Sequence, residues 1–395
     1  MSLGREAAPM RFSTRAIHVG QEADKATGAT IVPIYQTSTF TQTAVGENRG
    51  YLYSRAANPT RTALEAQLAS LEGGAHCSAF ASGMAAIAAV CNGLLNPGDH
   101  LLLCDDLYGG SYRFFSRILA RAGYAFSFAD FTDLDAVRAA LQPRTKIVWL
   151  ETPTNPLLRI VDVAALAELR PPGAVLVTDN TFASPYLQNP LELGSDVVVH
   201  STTKYIGGHS DVLGGAAVSN DPELAESIKF QQYAVGAVPG PLDAWLIMRG
   251  AKTLAVRMRE QQRSAQAIAE FLAASGEVEA VNYPGLPSHP QHALAQRQMR
   301  GFGGMLSFRL SGPETRALAF AKSTRLFSLG VSLGGIESLI EHPARQTHAS
   351  MPPEEQARRG IAGNLLRLSV GLEDSGDLID DLRAAVAASR LAPRG

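Results

Sequence analysis

Apolar positions along this chain recur in two rhythms, and the change from one to the other divides it. Over residues 61–71 they repeat at helical spacing, and Gly73-Gly74 stops the run. Short apolar or β-branched runs then follow at 75–81, 100–104, 125–128, 146–150, 175–177 and 197–200, separated by Ala- and Leu-rich segments of helical period. Strand, helix, strand at this spacing predicts an α/β domain built on a mostly parallel sheet covered on both faces. Ligands of such sheets bind at the carboxyl edge. The amphipathic pattern over 241–274 predicts one long helix leading into a smaller α+β domain, with strands expected at 305–310, 326–333 and 365–372. Residues 1–60 show little helical period, read as extended at 31–40, and carry an Asn58-Pro59 turn. Such an arm has little core of its own and is expected to lie against the rest of the protein or a neighbouring subunit. The division expected is an arm over 1–60, a main domain over 61–253 and a C-terminal domain over 254–395.

Composition narrows the picture mainly by exclusion. A chain of 395 residues can bury a substantial core, and a formal net charge of −2 without a basic stripe gives nucleic acid no footprint. No apolar run approaches the ~20 residues that span a bilayer. The N-terminus lacks the apolar core of a secretory signal. Cys77, Cys91 and Cys104 form neither a CxxC pair nor a metal-ligand spacing, and they fit a reducing, cytoplasmic setting. His289 and His292 lie in the Pro-rich turn LPSHPQH rather than on a helix that would aim both rings at one metal.

Chemistry gathers just past the ends of the predicted strands. Ser82-Gly83-Met84 closes one run and opens an Ala-rich helix, whose free amides and dipole suit an anion such as a phosphate; an ordinary N-cap is the other reading. There is no GxxxxGK and no GxGxxG, so nucleotides lack their usual cradle. Asp179 ends the apolar run VLVTD, where a carboxylate needs a cationic partner or simply caps a turn. Tyr108, before Gly109-Gly110, suits stacking on a ring and proton exchange, or plain packing. Arg367 stands on the apolar run LLRLS and needs an anion, either a substrate carboxylate or a structural partner. Lys204 follows the strand 197–200 and the hydroxyls Ser201, Thr202 and Thr203, and precedes Gly207-Gly208. A lysine desolvated there becomes nucleophilic, as a Schiff base to a carbonyl cofactor requires; an exposed turn lysine is the alternative.

Together these residues carry a resemblance. FSTRAIHVGQ, YSRAANPTR, FASGMAA, DDLYGGSYR, ETPTNP, VTDNTFASP, HSTTKYIGGHSD, YPGLPSHPQH, SLGGIESL and RLSVGLEDSGDL stand in the order of the Cys/Met-metabolism enzymes that use pyridoxal 5'-phosphate (PLP), the cystathionine γ-lyase and γ-synthase family, over nearly the whole chain. The resemblance implies the PLP-dependent transferase fold type I, aspartate aminotransferase-like, with 61–253 as the PLP-binding domain. It implies that Lys204 carries the cofactor, that Asp179 pairs with the pyridine nitrogen beside Thr181, and that Tyr108 stacks on the ring and protonates a departing sulfur. Phosphate falls to Ser82, Gly83, Met84, Ser201 and Thr203, with Tyr53 and Arg55 from a neighbouring subunit, in a homotetramer of site-sharing dimers. Arg367, Asn155 and Ser332 are implied at the carboxylate of an amino-acid substrate, and Arg113 and Glu337 at its distal end. The implied reaction is trans-sulfuration at Cγ of sulfur amino acids or homoserine esters, as in cystathionine γ-lyase or γ-synthase. Methionine γ-lyase and O-acyl-homoserine sulfhydrylase are the alternatives; a non-enzymatic scaffold would leave Lys204 idle. Methionine γ-lyases typically carry cysteine where Gly110 stands. Leu52 and Val331 stand where the cystathionine enzymes often have acidic residues, which favours a simpler γ-substituent.

Overall fold

The computed structural model describes residues 10–390. Seven strands form the larger sheet: β1 (His76–Phe80), β2 (His100–Cys104), β3 (Ala125–Ala129), β4 (Thr145–Glu151), β5 (Val175–Asp179), β6 (Val197–His200) and β7 (Gly215–Ser219). Their order is β1-β7-β6-β5-β4-β2-β3. Neighbouring strands from β6 through β5, β4 and β2 to β3 pair in parallel, and only β7 runs antiparallel, between β1 and β6. Strands buried on both faces must be apolar throughout. Leu101, Leu102 and Leu103 of β2 and Ile147 through Leu150 of β4 are accordingly all buried. One face packs under the helix Gly83–Leu94, and the other receives the helices Pro59–Glu72 and Pro241–Ala251. The first of these ends as its glycine predicts: Gly73 takes the left-handed conformation at φ 76°, where an L side chain would be strained.

The second sheet is built from β8 (Val278–Asn282), β9 (Met305–Leu310), β10 (Ser328–Leu329), β11 (Leu339–Glu341) and β12 (Leu365–Ser369), ordered β10-β11-β12-β9-β8. Its core lies against the helices Leu254–Ala273, Glu314–Ser323 and Ser375–Ser389.

Two expectations change here. The single helix expected over 241–274 is two, Pro241–Ala251 and Leu254–Ala273. At the break, the buried Arg257 guanidinium donates to the carbonyls of Tyr205 (2.7 Å), Ile206 (3.3 Å) and Gly250 (2.8 Å), so the chain bends to clamp the loop that follows Lys204. The strand expected over 326–333 pairs only at Ser328 and Leu329. Beyond them the chain turns through Gly334 (φ +76°), whose missing side chain lets it approach Tyr205 N at what would be 2.6 Å from a Cβ. That turn carries Ser332 toward Lys204. β7, β8 and β11 were not anticipated: Gly215-Ala216-Ala217 reads as small-residue loop, and β11 is three residues long.

Elsewhere, His289 donates from Nε2 to the Leu158 carbonyl (3.1 Å), and His292 donates from Nδ1 to the Pro284 carbonyl (2.7 Å). All three cysteines are free. Among the described residues no helix is long and apolar enough to cross a membrane.

Candidate active site

The parallel strands deliver their last residues to one edge, where a cavity of about 240 Å³ opens between the two sheets. At one end lies the helix Gly83–Leu94. Ser82 caps it by accepting from the Ala85 amide (3.1 Å), which leaves the Gly83 and Met84 amides without a partner inside the helix. Gly83 is needed here for space: a Cβ would stand 2.8 Å from Cβ of Ser201. Ser201 and Thr203 line the same end, and the Thr203 hydroxyl also accepts from Gly214 N at 3.0 Å. Amides, hydroxyls and a helix dipole together make a site for a dianion.

In the middle stand two buried carboxylates, Glu151 and Asp179, in register across β4 and β5. Asp179 Oδ1 accepts from the Thr181 amide (3.0 Å) and hydroxyl (2.6 Å), and Thr181 in turn accepts from Ser201 N (2.9 Å). Burial raises the Asp179 pKa from its ordinary value, against the pull of these hydrogen bonds. Among the described residues no Lys or Arg bridges it, so the site has a place for a cationic ring nitrogen. Glu151 accepts from the Tyr108 amide at 2.9 Å, and burial, then the neighbouring Asp179, push its pKa up further.

Lys204 Nζ donates to Ser332 Oγ at 3.1 Å. Burial first, and the Arg367 charge second, lower its pKa to about 8, with Glu341 opposing. A lysine in that range is a usable nucleophile and base near neutral pH. The Tyr108 ring lies over Gly110, where a Cβ would come within 2.3 Å of its Cε1. Arg367 reaches in from β12: Nη1 donates to Asn155 Oδ1 (2.9 Å), and Nη2 to the Ser332 carbonyl (2.9 Å) and to Glu341 Oε2 (2.5 Å). The two readings of Arg367 thus coexist, because the structural ion pair leaves Nε without an acceptor.

Four anticipated residues lie elsewhere. Tyr53 and Arg55 are exposed on the arm, the Arg55 guanidinium 5.5 Å from the Tyr53 ring and 5.2 Å from that of Tyr233. Arg113 is exposed on the helix Gly109–Phe114, and Glu337 accepts from Ser210 Oγ at 3.3 Å outside the cavity. Conversely, Glu341, Thr347 and Leu213 were not singled out, and Glu151 was noted only as the first residue of ETPTNP, without a role. Glu341 had a usable signal: an arginine on an apolar strand demands an anion on the strand beside it.

Amide donors at one end, an unbridged buried carboxylate in the middle, an activated amine and a guanidinium with a free N–H fit a phosphorylated pyridine aldehyde that receives an amino acid. Residues 13–387 match the family described as Cys/Met metabolism PLP-dependent enzyme. The chain is 54% identical to cystathionine gamma-synthase of Mycobacterium tuberculosis (strain H37Rv) over 376 residues, 95% of this chain and 96% of that protein. It is 51% identical to cystathionine beta-lyase of Coxiella burnetii, over 95% of this chain and 97% of the other. The crystal structure of cystathionine gamma-lyase from Lactobacillus plantarum complexed with L-serine superposes with a TM-score of 0.94 at 46% identity, covering 96% of this chain and all of that one (100%). A mixed α/β fold, a lysine-centred cavity suited to PLP and matches spanning nearly the whole chain agree: this protein belongs to the Cys/Met metabolism family of PLP-dependent enzymes.

Proposed function

We propose that the protein is a trans-sulfuration enzyme acting at Cγ, joining or cleaving cystathionine. The observation that carries this reading is the convergence of Lys204, Asp179, Tyr108 and Arg367 on one cavity. PLP, when bound, supplies an electron sink for the negative charge left on carbon when a proton departs. The chain supplies the rest. When PLP is bound, Gly83, Met84, Ser82, Ser201 and Thr203 would hold its phosphate, Asp179, steadied by Thr181, would keep a proton on the ring nitrogen, and Tyr108 would stack on the ring. Arg367, aimed by Asn155 and the Ser332 carbonyl, holds the substrate α-carboxylate. Lys204 Nζ takes the proton from Cα and returns it along the chain, work suited to an amine with a pKa of about 8. The Tyr108 hydroxyl gives a proton to the departing sulfur.

Gly110 supports a cystathionine enzyme over a methionine γ-lyase, because a side chain there would collide with Tyr108 in its present posture. The exposed Val331 and Leu213 at the cavity, with Leu52 exposed on the arm, favour a second reading in which an uncharged γ-substituent is preferred. Ile31, Ile34 and Tyr53 on the exposed arm support a homotetramer of dimers, with Tyr53 and Arg55 completing a neighbour's phosphate site and Arg113 and Glu337 the distal pocket. The three free cysteines suit a cytoplasmic setting. The arm over 1–60, the PLP-binding domain over 61–253 and the C-terminal domain over 254–395 complete the reading.

The test is product analysis of the PLP-loaded enzyme with cystathionine, with methionine, and with a homoserine ester plus cysteine. The reading predicts cysteine and 2-oxobutanoate from cystathionine, or cystathionine from the ester, with methionine inert. Homocysteine and pyruvate from cystathionine would move the cut to Cβ, and methanethiol from methionine would reject the cystathionine assignment.

A further inference from the structure

Arg367 and Glu341 sit directly opposite each other on the antiparallel strands β12 and β11. Their side chains are 2% and 1% exposed, and Nη2 and Oε2 are 2.5 Å apart. Glu341 is not needed to aim the guanidinium. Asn155 already fixes Nη1 and the Ser332 carbonyl already fixes Nη2, each at 2.9 Å. What Glu341 adds is charge, and it is anchored so that it cannot swing away. Thr347 donates its hydroxyl to Oε1, and the Thr347 hydroxyl oxygen is itself 3.0 Å from His348 Nδ1. The Nε of Arg367 remains without an acceptor in a residue that lines the cavity. A carboxylate arriving there meets a guanidinium whose charge is already compensated in a low-dielectric site, so it gains less than it would at a bare arginine.

We propose that Glu341 is a built-in counter-ion that competes with the substrate α-carboxylate for Arg367 and so keeps amino acids loosely held. This rests on the reading of Arg367 as the carboxylate site. Glu341 is a positioning residue that acts through Arg367 and touches no substrate. The same charge reaches Lys204, where Glu341 opposes the influence of Arg367. A residue that merely propped Arg367 would weaken carboxylate binding when removed; a competing counter-ion does the reverse.

The experiment uses PLP-loaded enzyme and two unreactive probes, L-alanine and L-alaninamide, which differ at the carboxylate alone. Binding is followed by calorimetry. In Glu341→Gln the dissociation constant for L-alanine falls about fivefold to tenfold while that for L-alaninamide stays within about twofold, because only the charged probe feels the freed guanidinium. In Thr347→Val, which should fold even where Glu341→Gln does not, the carboxylate keeps its charge and loses its second donor. Its hold on Arg367 tightens, and L-alanine binds about twofold more weakly. Unchanged or weaker L-alanine binding in Glu341→Gln, equal shifts for both probes, or tighter L-alanine binding in Thr347→Val each overturn the proposal. Arg367→Gln separates it from its premise: if that variant still prefers L-alanine over L-alaninamide as the parent does, the carboxylate reading of Arg367 fails, whatever Glu341 does.

Discussion

At the scale of single residues, the cavity works by moving the pKa values of buried groups away from those they have in water. Lys204 is the clearest case, with its pKa lowered to about 8 from an ordinary 10.5. Before PLP binds, this has a consequence for stability. Between about pH 8 and 10.5 the unfolded chain holds more protons at this lysine than the folded one, so folded stability rises with pH there. Below about pH 8 both states hold the proton and the full cost of burying the cation is present. Lys204→Met should therefore make the cofactor-free protein more stable than its parent at pH 7. That advantage should shrink as pH is raised through the same window, in parallel denaturant titrations. A pH-independent difference would show that Lys204 is not buried as a strained cation.

At the scale of elements, the sequence was legible where burial repeats and illegible where pairing depends on distant partners. Leu101 to Leu103 and Ile147 to Leu150 announce strands, because a sheet covered on both faces tolerates little else. β7 did not announce itself, since Gly215 is demanded by crowding: a Cβ there would lie 2.2 Å from the Ser82 carbonyl oxygen. The segment 326–333 has strand-like alternation, yet the chain leaves the sheet after Leu329 so that Ser332 can reach Lys204. The Pro241–Ala251 and Leu254–Ala273 helices read as one, because periodicity does not register a residue such as Arg257 that turns inward to serve a neighbouring loop. Tyr108 and Lys204 could be named because each stands between the end of a strand and a glycine pair, and Asp179 and Arg367 because each is a charged residue closing or interrupting an apolar run. Glu341 has the same character, but on a strand too short to be seen.

At the scale of the whole molecule, the arm is the part that one chain leaves unexplained. Arg55 lies against Tyr53 and Tyr233 in the open, and apolar Ile31, Ile34 and Leu52 are exposed beside it. If Arg55 completes a neighbour's site, Arg55→Ala and Lys204→Ala proteins are each weak or inactive alone. After subunit exchange in equal amounts they should regain about a quarter of the parent rate, since half the dimers are mixed and each then has one intact site. No recovery, or full activity of Arg55→Ala alone, would confine the site to a single chain.

The central claim is that PLP chemistry runs on Lys204, and one measurement reaches it most directly. The PLP-loaded enzyme is reduced with borohydride, which fixes the cofactor to whichever lysine holds it, then digested and mapped by mass. The account predicts the pyridoxyl label on the peptide containing Lys204 and its loss in Lys204→Ala. Label on Lys229 or Lys252, or no label on any lysine, would contradict it.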